Sequence, residues 1–194
     1  MNPVSDAELW RRGCNGDQAA VGELFRRHAP AIFAFLVRRT GDRELAEDLT
    51  STVFLEAWRK RREVRLSGDS ALPWLYGVAV NCARNAGRSM RRHRGALARL
   101  TLERPPAADD AASRQLADVL SLLERLPEEQ RDVILACAWT GLSYEEAALA
   151  LGIPVGTVRS RLSRARAQIG ELRAVAGHPA DTTPLVAPTR QDAV

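Results

Sequence analysis

The stretch LSYEEAALALGIPVGTVRSRLSRAR, residues 142–166, decides the fold of the second half of the chain. Ser143 and Glu146 fit a capping box, in which the serine hydroxyl and the glutamate carboxylate each bind a backbone N–H at a helix start. Gly152 suits the end of that helix because glycine adopts positive φ without strain, and Pro154 is well placed to open the next helix. Two short helices joined by a glycine turn, with arginines on the second, are typical of a helix-turn-helix that binds the DNA major groove.

The second helix of this motif has one apolar face and one face of small side chains. At about 100° per residue, the apolar face is expected to pack on Leu135 and Leu149. It consists of Val158, Leu162, Ala165 and Ile169. The opposite face consists of Gly156, Ser160, Ser163 and Ala167, flanked by Arg159 and Arg164. Small side chains let a helix lie deep in the groove, where a flanking arginine can bind guanine through two hydrogen bonds.

Two further arginines, Arg161 and Arg166, fall at the sides of this helix. They are better aimed at phosphates, which add affinity but carry no sequence information. A lone arginine-rich amphipathic helix could equally be a solvated surface. The capped helix and the Gly-Ile-Pro turn that precede it at the right spacing favour DNA binding instead.

Length and composition permit two small domains. The chain has 194 residues and a formal net charge of +4, which mildly favours a polyanionic partner. No apolar stretch approaches the roughly 20 residues that span a bilayer, and no secretory pattern opens the chain, so we expect a cytoplasmic protein without membrane insertion. Cys14, Cys82 and Cys137 lie far apart without ligand-like spacing to a histidine, so we expect small buried thiols and no metal site. Neither a cofactor nor a small-molecule substrate is indicated.

Apolar residues recur at intervals of three and four along most of the chain, which predicts an all-α fold. Candidate helices cover residues 6–14, 18–40, 43–61, 71–100 and 116–126, followed by a helix that starts at Pro127 and by the helix-turn-helix. Pro30 lies inside the second candidate helix and is expected to kink or divide it.

A run poor in core residues around Pro105 and Pro106 predicts a domain boundary. We therefore expect two small helical domains joined by a flexible linker and followed by a disordered tail. The expected bounds are 6–100 for the first domain, 101–113 for the linker, 114–175 for the second domain and 176–194 for the tail.

The first half holds two further informative segments. ELAEDLTSTVFLEAW, residues 44–58, has an apolar stripe of Leu45, Leu49, Val53 and Ala57, broadened by Phe54 and Trp58, which indicates a core helix with a polar face. WLYGVAVNCARN, residues 74–85, is followed by a basic run. Aromatic side chains beside amides and arginines suit single-stranded nucleic acid. The alternative is that Trp74, Leu75 and Val78 are simply core residues.

Together with LPEEQRDVILACAWTGLSYEEAALALGIPVGTVRSRLSRAR, residues 126–166, these segments resemble bacterial RNA polymerase sigma factors of the sigma-70 family, extracytoplasmic-function (ECF) group. The segments resemble regions 2.2, 2.3 to 2.4 and 4, in that order across a linker. The resemblance covers most of residues 6–173. Its specificity comes from the order, because the region 4 motif alone is shared with other regulators.

The resemblance implies a non-catalytic subunit that binds core RNA polymerase and directs promoter-specific initiation. Region 2 would bind the β′ clamp helices, recognise the -10 element and help to melt it, because capture of an extruded base offsets the cost of unstacking without nucleotide hydrolysis. Region 4 would read the -35 element and touch the β flap. ECF factors are often held inactive by an anti-sigma factor, so such a partner is also expected.

The resemblance also assigns roles by position in this chain. The clamp-binding segment contains Asp48, Leu49, Val53 and Phe54. The loop that captures a flipped -10 base corresponds to Ser70, Ala71 and Leu72, and the segment that contacts -10 DNA contains Trp74, Asn81, Arg84, Asn85 and Arg88. The -35 contacts fall on Thr157, Arg159, Ser160, Arg161, Ser163, Arg164 and Arg166.

Three positions depart from the family pattern. Thr52 stands where an acidic residue is common, and Gly77 where a basic one is frequent. Gly87 weakens the basic helix because glycine is a poor helix former. These departures concern the strength of clamp binding and of -10 phosphate contacts.

Two other classes of protein carry similar C-terminal motifs. A dimeric DNA-binding regulator would need a receiver domain or a dimerisation helix, and neither is visible. A serine recombinase would need a nucleophilic serine on an N-terminal α/β domain, whereas the first half reads as helical throughout.

Overall fold

The computed structural model describes residues 4–64, 66, 69–96 and 111–175. Every regular element in these ranges is a helix, which confirms the predicted all-α fold. The helices are α1 (Asp6–Cys14), α2 (Gln18–Thr40), α3 (Arg43–Lys60), α4 (Leu72–Ala96), α5 (Ala111–Glu124), α6 (Glu128–Ile134), α7 (Tyr144–Leu151) and α8 (Val155–Val175). A π-helical segment, Leu135–Trp139, continues α6.

The first four helices form the N-terminal domain, and local capping explains where they begin. The side chains of Ser5, Asp17 and Asp42 accept hydrogen bonds from the backbone N–H groups three residues later, at 3.3, 3.1 and 3.0 Å. Such caps satisfy donors that have no partner inside the helix. Gly41 ends α2 with φ of 69°, a conformation that glycine adopts without strain. The predicted bounds of α1 and α2 are confirmed.

Pro30 does not divide α2, which runs unbroken through it. Proline removes one hydrogen bond of the helical ladder and is costly in a helix interior. Here Pro30 is exposed, so water can bind the carbonyl group that the missing N–H leaves without a partner.

The last four helices form the C-terminal domain, and α7 and α8 form the predicted helix-turn-helix. The capping box of Ser143 and Glu146 is confirmed: Ser143 Oγ accepts from the Glu146 N–H at 3.2 Å, and Glu146 Oε2 accepts from the Ser143 N–H at 2.8 Å. Gly152 ends α7 with φ of 65°. Pro154 directly precedes α8, and its carbonyl accepts from the N–H groups of Thr157 and Val158.

The two domains pack directly on one another. Helix α4 lies against α7, and α2 lies against the π-helical segment. A continuous cluster of buried apolar side chains runs through both domains, from Leu36 and Leu75 in the first to Leu135 and Leu162 in the second. The expected linker falls mostly outside the described residues, as does the expected tail. Helix α5 begins at Ala111, inside the expected linker.

Candidate nucleic-acid interface

Helix α8 presents its predicted apolar face to the core. Val158, Leu162, Ala165 and Ile169 are all buried. One expected contact is wrong: Leu135 is buried, but Leu149 is 59% exposed. The cause is the rotation of α7, which turns Ala147 and Ala148 inward and leaves the next residue on the outer side.

The opposite face of α8 is open to solvent. Ser160, Ser163 and Arg164 are exposed along it, and Thr157 lies half-buried at its start. The Ser160 hydroxyl donates to the Thr157 carbonyl at 3.2 Å, so it remains close to the helix surface. The Arg159 guanidinium lies 5.8 Å from the centre of the Tyr144 ring on α7, a cation–π contact that orients it beside the face.

The two arginines at the sides of α8 have different surroundings. Arg161 forms an ion pair with Glu129 at 2.5 Å, so its guanidinium is held toward α6. Arg166 is exposed. A phosphate contact through Arg161 therefore requires exchange of the Glu129 carboxylate for a phosphate.

Helix α4 carries the second candidate surface. Asn81, Asn85 and Arg88 are exposed on one side of it, and the Arg88 guanidinium donates to the side-chain oxygen of Asn85. Trp74, about two turns before Asn81 on this side, is half-buried, and its ring packs edge-on against Trp10 with centroids 5.2 Å apart. Leu75 is buried, whereas Val78 is half-buried against the core.

The loop before α4 is tied down by a buried carboxylate that sequence reasoning missed. Asp6 Oδ2 accepts from the Ala71 N–H at 2.9 Å and from the Ser70 hydroxyl at 3.4 Å. Ala71 is fully buried, so among residues 70–72 only Ser70 and Leu72 expose side-chain surface. The Leu72 N–H donates to Ser70 Oγ at 3.2 Å, which fixes the first turn of α4.

Asp6 is itself held by two side chains of α2. His28 Nε2 lies 2.7 Å from its Oδ2, and Arg27 Nη1 donates to its Oδ1 at 2.6 Å. Burial acts to raise the pKa of Asp6, but the hydrogen bond from Ala71, the charge of His28 and the hydrogen bond from Arg27 together bring that pKa below its ordinary value. The carboxylate is therefore charged at neutral pH.

Arg84, assigned to -10 DNA by the resemblance, is engaged inside the protein. Its Nε and Nη2 lie 3.0 and 2.8 Å from Asp132 Oδ2, and its side chain is 30% exposed. Asp132 belongs to α6 of the C-terminal domain and is fully buried. Burial raises the pKa of Asp132, and the charges of Arg39 and Arg84 act against that rise.

Helix α3 separates the residues assigned to polymerase binding into two groups. Leu49 and Val53 are buried in the core together with Ala57, as the predicted stripe requires, so their side chains do not reach the surface. Asp48 is exposed and Phe54 is half-buried.

Two exposed apolar residues near this helix escaped sequence reasoning. Leu55 is 63% exposed and Phe25 is 46% exposed, and the Phe25 ring packs edge-on against Phe54 at 4.8 Å between centroids. The sequence did contain a signal for Leu55: this residue lies two positions beyond the core residue Val53, and therefore on the other side of the helix.

The cysteines differ in burial. Cys137 is buried, and burial raises its pKa to about 11, so its thiol is protonated at neutral pH. Cys14 and Cys82 are only half-buried, which corrects the expectation for these two. Within the described ranges, no group of three or more His, Cys, Asp or Glu side chains could hold a metal ion, and no helix is long and apolar enough to cross a membrane.

Comparison with known protein families places both halves of the chain. The family described as Sigma-70 region 2 matches residues 24–95, and the family described as Sigma-70, region 4 matches residues 116–169. RNA polymerase sigma factor NccH of Alcaligenes xylosoxydans xylosoxydans is 34% identical over 181 residues, which are 88% of this chain and 96% of that protein. ECF RNA polymerase sigma factor SigM of Mycobacterium tuberculosis is 37% identical over 173 residues, or 87% of this chain and 84% of the relative.

Similar structures have also been solved. CnrH, in complex with the cytosolic domain of CnrY, has a TM-score of 0.69 at 28% identity, over 88% of this chain and 97% of CnrH. The sigma factor RpoE from Bartonella quintana, in complex with the anti-sigma factor NepR, has a TM-score of 0.67 at 28% identity, over 79% of this chain and 96% of that one.

Proposed function

The chain belongs to the extracytoplasmic-function group of the sigma-70 family, and from this premise we propose which of its residues carry promoter recognition. A sigma factor of this group binds core RNA polymerase and directs transcription initiation at promoters through the -10 and -35 elements. The N-terminal domain carries region 2 and the C-terminal domain carries region 4.

We propose that α8 reads the -35 element. Ser160 and Ser163 allow the helix to approach the floor of the major groove, while Arg159 and Arg164 bind base edges from its two sides. Thr157, Arg161 and Arg166 hold the helix in register through the DNA backbone. The exposure of Ser160, Ser163 and Arg164 on one face supports this assignment.

We propose that α4 and the loop before it bind and open the -10 element. Asn81, Asn85 and Arg88 contact the DNA strand that melting exposes. Trp74 offers an aromatic surface on which a base can stack. Ser70 and Leu72 receive an extruded base beside the rigid start of α4, with the Ala71 backbone held in place by Asp6. Arg84 joins this surface once it has left Asp132.

We propose that core polymerase binds the outer side of α3 and the adjacent part of α2. Asp48 and Phe54 take part, joined by Leu55 and Phe25, which give this side an exposed apolar patch. Leu49 and Val53 support this surface from the core. The β′ clamp helices of the polymerase bind this patch. The β flap of the polymerase binds the C-terminal domain.

We also propose that the chain acts in the cytoplasm, as a non-catalytic subunit, under the control of an anti-sigma factor. Promoter opening by base capture needs no catalytic residue, because binding energy offsets unstacking. The complex of the similar sigma factor RpoE with the anti-sigma factor NepR supports the expectation of an anti-sigma partner.

One observation carries the proposal most directly: the same chain exposes an amide-rich face on α4 and a serine- and arginine-rich face on α8. The test adds the full chain to core RNA polymerase with genomic DNA and sequences the 5′ ends of the transcripts. We expect a restricted set of start sites with two shared upstream elements. Specific duplex binding without polymerase, together with no transcript in its presence, would contradict the proposal.

A matched pair of double variants assigns the effect to α4. Replacement of Asn81 and Arg88 by alanine should abolish most promoter-specific transcripts. Replacement of Asn15 and Arg125, an amide and an arginine that are exposed outside the proposed surfaces, should leave them unchanged. Equal loss in both double variants would speak against the -10 assignment.

A further inference from the structure

The N-terminal domain contains an apolar cavity of about 70 Å³, which is lined by residues of α1, α2, α3 and α4. Four of the lining residues are aromatic, namely Trp10, Phe25, Phe54 and Trp58. Protein interiors are close-packed and leave few voids larger than a water molecule. An apolar cavity stays dry and takes up small apolar groups, as an engineered cavity of about 150 Å³ takes up benzene. The smaller volume here suits a short alkyl chain.

A basic cleft of about 500 Å³, open to solvent, adjoins the cavity. Trp10 and Arg61 line both spaces, so they lie at the boundary between them. Arg11 and Arg62 also line the cleft, and no acidic side chain is among the described residues that line it. The ion pair of Arg11 with Glu8 compensates one of the three positive charges. The charges of Arg61 and Arg62 favour an anionic group in the cleft.

Two hydrogen-bond donors at this boundary are buried and have no partner among the residues that the structure describes. They are the indole Nε1 of Trp10 and the Nε of Arg61. Most buried donors are paired, because an unpaired one has lost its bond to water without a replacement. The Arg61 guanidinium is held in place: its Nη1 donates to the Trp58 carbonyl at 2.7 Å, and its central carbon lies 3.9 Å from the centre of the Trp58 ring. An oxygen atom of a ligand at this boundary would supply a missing acceptor.

The walls of the cavity are held by contacts among the lining residues themselves. The Cys14 thiol donates to the Arg61 carbonyl at 3.2 Å, which joins the end of α1 to the residue after α3. Gly13 lets α1 lie close to α2, because a Cβ atom at this position would be 3.1 Å from Val21 Cγ2. The space is therefore part of the fold, as is usual for ligand pockets.

The cavity also reaches the surface proposed to bind core polymerase. Phe25 and Phe54 line the cavity, and their rings pack edge-on against each other on that surface, with centroids 4.8 Å apart. A chain that fills the cavity supports both rings from the inside. Side chains that are already ordered lose less entropy when a partner binds. Occupancy of the cavity should therefore strengthen binding to core polymerase.

We propose that the cavity and the adjoining cleft form a binding site for an amphiphilic anion, a short alkyl chain that ends in a phosphate group. The chain enters the cavity among the aromatic rings. The phosphate lies in the cleft, where Arg61 and Arg62 bind it and Trp10 Nε1 donates to one of its oxygens. Two guanidinium groups match a phosphate dianion better than the single charge of a carboxylate. The effect on polymerase binding rests on the function proposed above, whereas the site stands without it.

The test follows the indole N–H signals of the isotope-labelled full chain by nuclear magnetic resonance while hexyl phosphate is added. Trp10→Phe identifies the Trp10 signal by its loss. We expect hexyl phosphate to move the Trp10 signal saturably and to leave the signal of Trp139, in the π-helical segment, unchanged. Inorganic phosphate carries only the charge and hexanol only the chain, so each should need at least about tenfold higher concentration for the same movement.

Each result of this titration decides one part of the proposal. A Trp10 signal that hexyl phosphate does not move would overturn the site. Equal movement with hexanol would overturn the role of the charge, and equal movement with inorganic phosphate would overturn the role of the cavity.

A matched pair of arginine variants tests the cleft. Arg61→Gln should weaken binding of hexyl phosphate about tenfold, because it removes a charge-assisted hydrogen bond. Arg59→Gln, at an exposed arginine two positions earlier, should bind as the parent does. The same affinity in both variants would remove Arg61 from the site. If Arg61→Gln does not fold, the titration of the parent chain still decides whether the site exists.

The second readout is the affinity for core polymerase with and without saturating hexyl phosphate. We expect the ligand to raise the affinity of the parent chain about threefold. Arg61→Gln is the control and should show a smaller rise at the same concentration. An affinity that bound ligand leaves unchanged or lowers would overturn the effect on polymerase. A saturable movement of the Trp10 signal in a chain that binds no core polymerase under either condition would support the site and refute the proposed function.

Discussion

The carboxylate of Asp6 accepts a 2.9 Å hydrogen bond from the backbone N–H of Ala71, across 65 positions of sequence. This bond joins the first turn of α1 to the residue that precedes α4. A negative charge at this place also interacts favourably with the positive end of the α4 dipole. The start of α4, the helix proposed to open DNA, is thus fixed by a residue of α1 that is distant in sequence but in direct contact with it.

Asp6→Asn should destabilise the N-terminal domain by about 1 to 3 kcal/mol at neutral pH, because it weakens charge-assisted hydrogen bonds to a buried group. The pKa of Asp6 is below its ordinary value of 3.8, so its stabilisation is present above that pH. It is lost as the pH falls through the lower pKa of the folded state. The free energy of unfolding of the parent, measured with urea, should therefore fall below about pH 4. The free energy of unfolding of the variant should fall less over the same pH range.

Asp69→Asn is the matched control, because Asp69 is an exposed aspartate near the same loop. We expect it to change the free energy of unfolding by less than about 0.5 kcal/mol. An Asp6→Asn variant with the stability of the control at every pH would show that the hydrogen bond to Ala71 contributes nothing.

The Asp6 contact also illustrates what sequence can and cannot predict. Helix bounds followed from local signals, such as Gly152 at the end of α7 and the capping box at Ser143, because capping acts over three or four residues. The contacts from Asp6 to Ala71 and from Arg84 to Asp132 join residues far apart in sequence, and no periodicity marks them. The resemblance therefore placed Arg84 on DNA, whereas its partner in the free chain is a carboxylate of the other domain.

The exposed apolar residues of the proposed polymerase surface were not identified from the sequence, for a different reason. The apolar stripe of α3 placed Val53 in the core, but periodicity alone does not say whether an apolar residue off the stripe, such as Leu55, packs on a neighbouring helix or stays exposed. Burial in the folded chain makes this distinction.

Leu55→Ser should weaken binding to core polymerase about tenfold, because an apolar side chain of this size contributes about 1.5 to 3 kcal/mol when fully buried at an interface. The stability of the free chain should hardly change, since Leu55 is already 63% exposed. Competition with a labelled parent chain for core polymerase measures the affinity. Val4→Ser, at another exposed apolar residue, is the control and should bind as the parent does. The same affinity for both variants would remove Leu55 from the polymerase surface.

Ser143→Ala should destabilise the C-terminal domain by about 1 kcal/mol, because it removes the oxygen that accepts from the Glu146 N–H. Ser143→Asp keeps an acceptor at the cap and should retain most of the stability. Ser121→Ala, at an exposed serine of α5, is the comparison for a hydroxyl that caps no helix. Thermal unfolding measures all three. A Ser143→Ala variant as stable as Ser121→Ala would show that the cap does not stabilise α7.

Arg164→Ala tests how α8 reads DNA. Arg164 is exposed beside Ser160 and Ser163, where a guanidinium can bind a guanine through two hydrogen bonds. Its loss should cost about 1 to 3 kcal/mol on the preferred -35 sequence and relax discrimination at one base pair. Arg166→Ala should instead weaken binding to all sequences alike and reduce the salt dependence, as loss of a phosphate contact does. The two outcomes are separated by measuring transcription by the holoenzyme from a set of promoters with single substitutions in the -35 element. If Arg164→Ala lowered transcription from all of these promoters equally, Arg164 would be reassigned to the DNA backbone.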